Sequence, residues 1–147
     1  MQACVLQLRS LGGRRAFEGP ISTIRCRDDN GLLRDAVSEP GLGRVLVVDG
    51  GGCLDSALVG DVLAGLAVAN GWAGLVVNAA ARDVVALSSL DVGVLALGTN
   101  PRRAGCAGVG DRDVVVRFGG ATFGPGARLF ADEDGVLVQR HDNIASF

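Results

Sequence analysis

The chain has 147 residues, 14 basic and 16 acidic side chains for a formal net charge of −2, and 48% hydrophobic against 4% aromatic residues. That is enough to bury one real core, and it offers neither the basic footprint nor the stacking surface of a direct nucleic-acid binder. All basic residues are arginine, tyrosine is absent, and the single histidine, His141, stands in the polar tail Gln139–Asn143. A Schiff-base lysine, a Walker-type phosphate loop and a Ser-His-Asp triad in the body of the fold are thereby excluded, leaving carboxylates, arginine, backbone and water for any acid–base chemistry.

From the N-terminus, Val5, Leu6, Leu8 and Leu11 read as a strand or an ordered arm, broken by Gly12-Gly13-Arg14-Arg15. Gly19-Pro20 reads as a turn, after which Ile21, Thr23 and Ile24 predict a strand ending near Cys26. Asp28, Asp29 and Asn30 are N-cap candidates for a helix through Leu32, Leu33, Ala36 and Val37, closed by Pro40-Gly41. The run from Arg44 to Asp49 is the clearest strand, apolar throughout as in a strand covered on both faces. Gly50-Gly51-Gly52 lacks the spacing and the Lys-Ser/Thr end of phosphate loops and is expected to permit a tight backbone path.

A helix is predicted from Asp61 through Val62, Leu63, Leu66 and Ala67 to a stop at Asn70-Gly71, then a buried strand from Gly74 that ends at Asn78. Arg82-Asp83 opens a second helix running toward Leu90, and Val92–Leu97 is the next buried strand, ended by Gly98–Pro101. After an irregular segment from Arg102 to Gly110, short strands at Val114–Phe118, Ala121–Phe123 and Val136–Val138 are separated by Gly119-Gly120, Gly124-Pro125-Gly126 and Asp132–Gly135. The expectation is one α/β domain over residues 1–147, a central βαβ unit inside a larger β framework. Cys4, Cys26, Cys53 and Cys106 form no CxxC pair, the opening residues do not form a signal peptide, and no apolar run is long enough to span a membrane. Reduced thiols and a cytoplasmic location are expected.

The chemistry concentrates between Gly60 and Asp83. At the carboxyl edge of an open α/β sheet, helix N-termini attract anions. Gly60 leaves room for a ligand to approach the backbone, the N–H groups of Val62 and Leu63 are free donors, and Arg82 offers a planar fork for a carboxylate beside the acids Asp61 and Asp83. The same residues also fit a plainer reading. Aspartate in a first helical turn complements the macrodipole, and an Arg-Asp pair is often only a surface ion pair.

Segments GGRRAFEGPI, DNGLLRDAVSEPG, RVLVVDGGG, ALVGD, NGWAGLVVN, ARDV, DVGVLALGTNPRR, FGGATFGPG and ADEDGV together resemble the RraA-like family, colinearly from about Gly12 to Val138. That family includes the regulator of ribonuclease E activity and the metal-dependent 4-hydroxy-4-methyl-2-oxoglutarate aldolases, and its members were once mislabelled menaquinone methyltransferases. Within it, the aldolase-type signature is an acidic residue, twenty residues, then Arg-Asp, matched here by Asp61 and Arg82-Asp83. The resemblance implies a swivelling β/β/α, phosphohistidine-domain-like fold, assembled as a homotrimer with sites between subunits. It implies that Gly60, Asp61, Val62, Leu63 and Arg82 hold the pyruvate part of a small 2-oxo acid. Asp83 would hold Mg²⁺ or Mn²⁺, Asp61 and Arg82 would be catalytic, and one or more of Asp132, Glu133 and Asp134 would reach a neighbouring subunit's site.

The implied reaction is aldol cleavage to pyruvate, with oxaloacetate decarboxylation as a side activity. The alternative is a regulator that docks to ribonuclease E and performs no chemistry. Three departures from the family pattern stand out. The helix that usually opens the family has no counterpart, Asn78-Ala79-Ala80-Ala81 replaces a segment with glycine after its first position, so that Ala79 is expected to crowd the substrate, and Arg103–Cys106 replaces a Lys-Ser segment with a further basic residue.

Overall fold

The computed structural model describes residues 1–140, so His141 and the end of the polar tail lie outside the described residues. Four parallel strands form its centre: β3 (Phe17–Arg25), β4 (Val45–Val59), β5 (Gly74–Ala81) and β6 (Gly93–Thr99). They are joined by α1 (Gly31–Val37), α2 (Asp61–Ala69) and α3 (Val84–Leu87). Each crossover is thus a βαβ unit, and the expected central one is the middle one, β4-α2-β5. β1 (Gln2–Cys4) and β2 (Arg9–Ser10) precede them; β7 (Asp111–Arg112), β8 (Val116–Phe118), β9 (Ala121–Phe123), β10 (Arg128–Asp132) and β11 (Gly135–Val138) follow. The main sheet runs β1-β11-β10-β3-β4-β5-β6-β2, with β7 on β3 and a separate β8–β9 hairpin.

Alternation along the central strands builds two cores. Leu46, Val48, Leu75 and Val77 point to the helices, where Leu33, Val37, Leu63, Ala67 and Trp72 meet them. Val45, Val47, Val76 and Leu95 point the other way, against Phe17, Phe123, Leu129 and Val136 from the antiparallel part. Burial on both faces explains why these strands read as unbroken apolar runs.

Several boundaries differ from expectation for local reasons. Gly19-Pro20 is no turn but part of β3, at the point where that strand changes partner: Pro20 faces Arg128 and Ile21 faces Val45. A proline is tolerated there because the ladder needs no donor from it. The glycines 50–52 lie inside β4, whose pairing with β5 shifts between Asp49 and Val59, and positive φ at Gly51 and Gly52 lets the chain bow out and return. Because β4 returns, β5 continues past Asn78 to Ala81. α3 stops at Leu87 rather than Leu90, since the Ser88 and Ser89 hydroxyls donate to the carbonyls of Val85 and Ala86 and end the turn. Strand β10, not assigned from sequence, pairs β11 across the tip Asp132–Gly135.

Candidate functional site

Gly60 is the N-cap residue of α2 at the carboxyl end of β4, and Arg82-Asp83 follows β5 directly alongside. Arg82 N–H donates to the Val59 carbonyl at 2.9 Å, which clamps the two strand ends together. Asp83 then takes a left-handed conformation, φ 61°, ψ 44°. Aspartate tolerates that conformation better than most residues, yet it costs on the order of 1 kcal/mol. The turn carries its carboxylate back over the start of α2, where Oδ2 accepts the Asp61 N–H at 3.0 Å and Oδ1 lies 3.8 Å from Arg82. The Asp61 N–H, with help from the positive charges of Arg82 and Arg103, holds the Asp83 carboxyl below the usual carboxylate range.

Gly60 serves this contact. A Cβ there would stand 2.6 Å from Asp83 Oδ2, so the missing side chain at Gly60 also makes room for the Asp83 carboxylate. Gly60→Ala should therefore push the carboxylate off α2. The Asp83 titration midpoint, followed by carboxyl NMR, should rise toward the ordinary carboxylate range, and an unchanged midpoint would contradict the contact.

Beside this contact opens a cavity of about 170 Å³, lined by Gly60, Val62, Leu63 and Arg82 together with Asn30, Arg34 and Arg103. Val62 and Leu63 have no backbone acceptor among the described bonds; the first intrahelical bond is Ala64 to Gly60. Asp61 and Asp83 lie next to the cavity but outside its lining. Ala79 does not crowd it: the residue is 1% exposed and packs in the helix-side core against Gly50. Asn30, Arg34, Arg103 and Cys106 form the wall that the local reading missed. Their common signal is position, since they follow the carboxyl ends of β3 and β6, the strands flanking β4 and β5.

That wall is tied down by a buried carboxylate. Asp29 accepts N–H bonds from Gly31 at 2.9 Å, Ala107 at 2.8 Å and Gly108 at 3.0 Å, fastening the segment after β6 to the start of α1. The Gly31 bond is the first cause, and those of Ala107 and Gly108 further ones, of an Asp29 carboxyl held below the ordinary range. Folded Asp29 thus has the lower pKa, so its stabilisation is complete above the unfolded value and lost as pH falls through the folded one. Asp29→Asn should lower the melting temperature by roughly 3–8 °C at pH 7. The gap to wild type should begin to close below about pH 4 and vanish below the folded value, and a gap that persists there would contradict the account.

For a divalent ion, the donor set is one ionised, partly exposed carboxylate, Asp83, with Asp61 adjacent. Among the described residues no three His, Cys, Asp or Glu side chains converge as a protein cage. Such a set fits a hard ion that keeps most of its water, as Mg²⁺ does, and does not fit a structural zinc centre.

Residues 2–138 match the family model RraA-like (Aldolase/RraA). The chain belongs to the RraA-like family. Among solved structures, the RNA-processing inhibitor RraA from Thermus thermophilis is 43% identical with a TM-score of 0.91, over 93% of this chain and 84% of that one. A Geobacillus kaustophilus HTA426 protein described as S-adenosylmethionine:2-dimethylmenaquinone methyltransferase is 44% identical, TM-score 0.93, over 98% and 89%. Streptomyces coelicolor RraAS2, an unusual member of the RNase ES inhibitor RraA family, is 28% identical, TM-score 0.80, over 99% and 75%. This RraA-like chain shares their fold, a large mixed sheet with few helices. Among the described residues no helix is long and apolar enough to cross a membrane.

Proposed function

We propose that this RraA-like protein is a divalent-metal-dependent aldolase that cleaves 4-hydroxy-4-methyl-2-oxoglutarate to pyruvate and decarboxylates oxaloacetate as a side activity. The observation that carries the reading is the Asp83 carboxylate seated on the α2 N-terminus beside Arg82 and the arginine-lined cavity. Mg²⁺ or Mn²⁺, held by Asp83, would supply Lewis-acid stabilisation of charge at the keto oxygen. The Val62 and Leu63 N–H groups receive the carboxylate of the 2-oxo end, aided by the helix dipole. Arg82 directs its fork at the keto oxygen and stabilises the oxyanion that develops there. Asp61, exposed at the rim, orients a water that takes the proton of the C4 hydroxyl. The C3–C4 bond then breaks, its electron pair passing to the 2-oxo fragment as an enolate while the other half leaves as pyruvate. Protonation of the enolate gives the second pyruvate. The test is pyruvate release with and without metal.

The swivelling β/β/α description, a cytoplasmic location and a homotrimer with sites between subunits go with this reading. Asp132, Glu133 and Asp134 are exposed on the β10–β11 tip, beside Ala131, which pairs with Phe17 at the start of β3. Arg82 lies beyond the opposite, carboxyl end of the parallel strands. The acidic tip therefore reaches a site only in another copy. Light scattering should give three times the chain mass of 15.0 kDa, and a monomer at micromolar concentration would contradict the trimer.

A second reading, docking to ribonuclease E as a non-catalytic regulator, is favoured by the Thermus and Streptomyces relatives, whose descriptions are of inhibitors. Inhibition of ribonuclease E cleavage by a protein that releases no pyruvate would select it.

A further inference from the structure

The carboxyl edge of the sheet holds a second crevice that the proposed reaction does not use. It measures about 210 Å³, and its lining includes two acids, Asp28 and Asp55, the hydroxyl residue Ser56 and two arginines, Arg102 and Arg103. Three separate segments supply them: Asp28 follows β3, Asp55 and Ser56 stand on the returning half of β4, and Arg102 and Arg103 follow β6. Backbone bonds stitch these segments together. The Ala57 N–H donates to the Arg102 carbonyl at 2.7 Å, the Ala104 N–H to Ala57 at 3.1 Å and the Gly105 N–H to Asp28 at 2.8 Å.

Among the described residues, none of the four charged side chains forms an ion pair, either with one another or with a residue outside the crevice. Asp28 is not free to swing toward the arginines, because its Oδ1 accepts the Ser56 hydroxyl at 2.6 Å and the Cys53 thiol at 3.4 Å. Ser56 is itself buried, 6% exposed. The Ser56 bond first, and the Cys53 contact next, hold the Asp28 carboxyl below the ordinary range, so it is ionised at neutral pH. Both signs of charge are therefore held apart around one small space. A bare cation there would meet the arginines and a bare anion the carboxylates, and like-charge juxtaposition counts against each. A molecule carrying both charges satisfies both walls.

We infer that this crevice binds a small zwitterion of the α-amino acid class, its ammonium group on Asp28 and Asp55 and its carboxylate on the fork of Arg102. The site is independent of the 2-oxo acid reading, since Asp28, Asp55 and Arg102 line this crevice and not the cavity beside Gly60. Arg103 and Ala104 line both, so the two spaces share a wall.

The probes are L-norvaline, pentanoate, which lacks only the ammonium group, and butylamine, which lacks only the carboxylate. Backbone amide NMR of the full chain at Ser56, Arg102 and Gly105 reads occupancy of the crevice, whereas an anion bound beside Gly60 shows at Val62 and Leu63. At the crevice amides norvaline should bind about tenfold or more tightly than either singly charged probe, the scale of one charge-assisted hydrogen bond. Asp28→Asn tolerates the left-handed backbone, φ 52°, and keeps an acceptor for Ser56. It should bring norvaline down to the affinity of pentanoate and leave pentanoate no weaker. Arg102→Gln should bring norvaline down to the affinity of butylamine and leave butylamine no weaker. Equal binding of the three probes at the crevice, or norvaline shifts confined to other amides, overturns the site. A norvaline preference that survives in both variants, or a variant that weakens all three probes alike, overturns the assignment to Asp28 and Arg102.

Discussion

Asp83→Ala is expected to abolish Mn²⁺ binding and, with it, pyruvate release. Asp83 is the carboxylate that the fold pins over the α2 N-terminus, ionised below the usual range by the Asp61 N–H and by Arg82 and Arg103. No other described carboxylate is held to the start of this helix. Alanine removes the ligand and also places a less suited residue at φ 61°, a backbone cost of about 1 kcal/mol. Asp83→Asn separates the two effects, because asparagine tolerates the left-handed conformation and lacks only the charge. Both variants should fold and neither should bind Mn²⁺ by calorimetry. Asp61→Ala is the control, since the N–H that seats Asp83 belongs to the backbone and survives; Mn²⁺ binding should persist. If the Asp83→Ala protein bound Mn²⁺ as tightly as wild type, Arg82-Asp83 would be only an ion pair at a helix start, and the regulator reading would lead.

Arg82→Lys should lower kcat/KM by about 10²-fold or more, the scale of a lost oxyanion donor. Arg82 is positioned by its own backbone bond to Val59 and by the strand end, with 27% of its side chain exposed. Its 3.8 Å contact with Asp83 is loose and partly solvated, so it contributes at most about 1 kcal/mol and leaves the fork available. Lysine keeps the charge and loses the planar pair of donors, so kcat should fall more than KM rises if Arg82 acts on the developing oxyanion. A loss of kcat/KM that comes only from a higher KM would make Arg82 a residue of uniform binding.

The α2–β5 unit and the adjacency of Asp61, Arg82 and Asp83 were legible in the sequence because the relevant signals are local. A helical apolar period, an Asn-Gly stop and a β-branched run each lie within about ten residues. What was not legible depends on contacts across the chain. Pro20 reads as a turn unless one knows that β3 changes partner there, and Ala79 reads as a pocket residue until the return of β4 places it against Gly50. Gly60 was recognisable as special, but that a Cβ there would meet Asp83 depends on a contact across the chain. Asp29 looked like an N-cap candidate, but its carboxylate also binds N–H groups of residues 107 and 108. Arg34 and Arg103 share a wall because β3 and β6 flank the central pair, an arrangement that no local pattern encodes.

The most direct test of the central claim is pyruvate release from 4-hydroxy-4-methyl-2-oxoglutarate, measured by a coupled lactate dehydrogenase assay before and after exhaustive EDTA treatment. The account predicts turnover with Mg²⁺ or Mn²⁺, loss of turnover on chelation and its return when the ion is restored, with no borohydride trapping in a chain that has no lysine. Full activity after EDTA, or no pyruvate with either ion present, would contradict it.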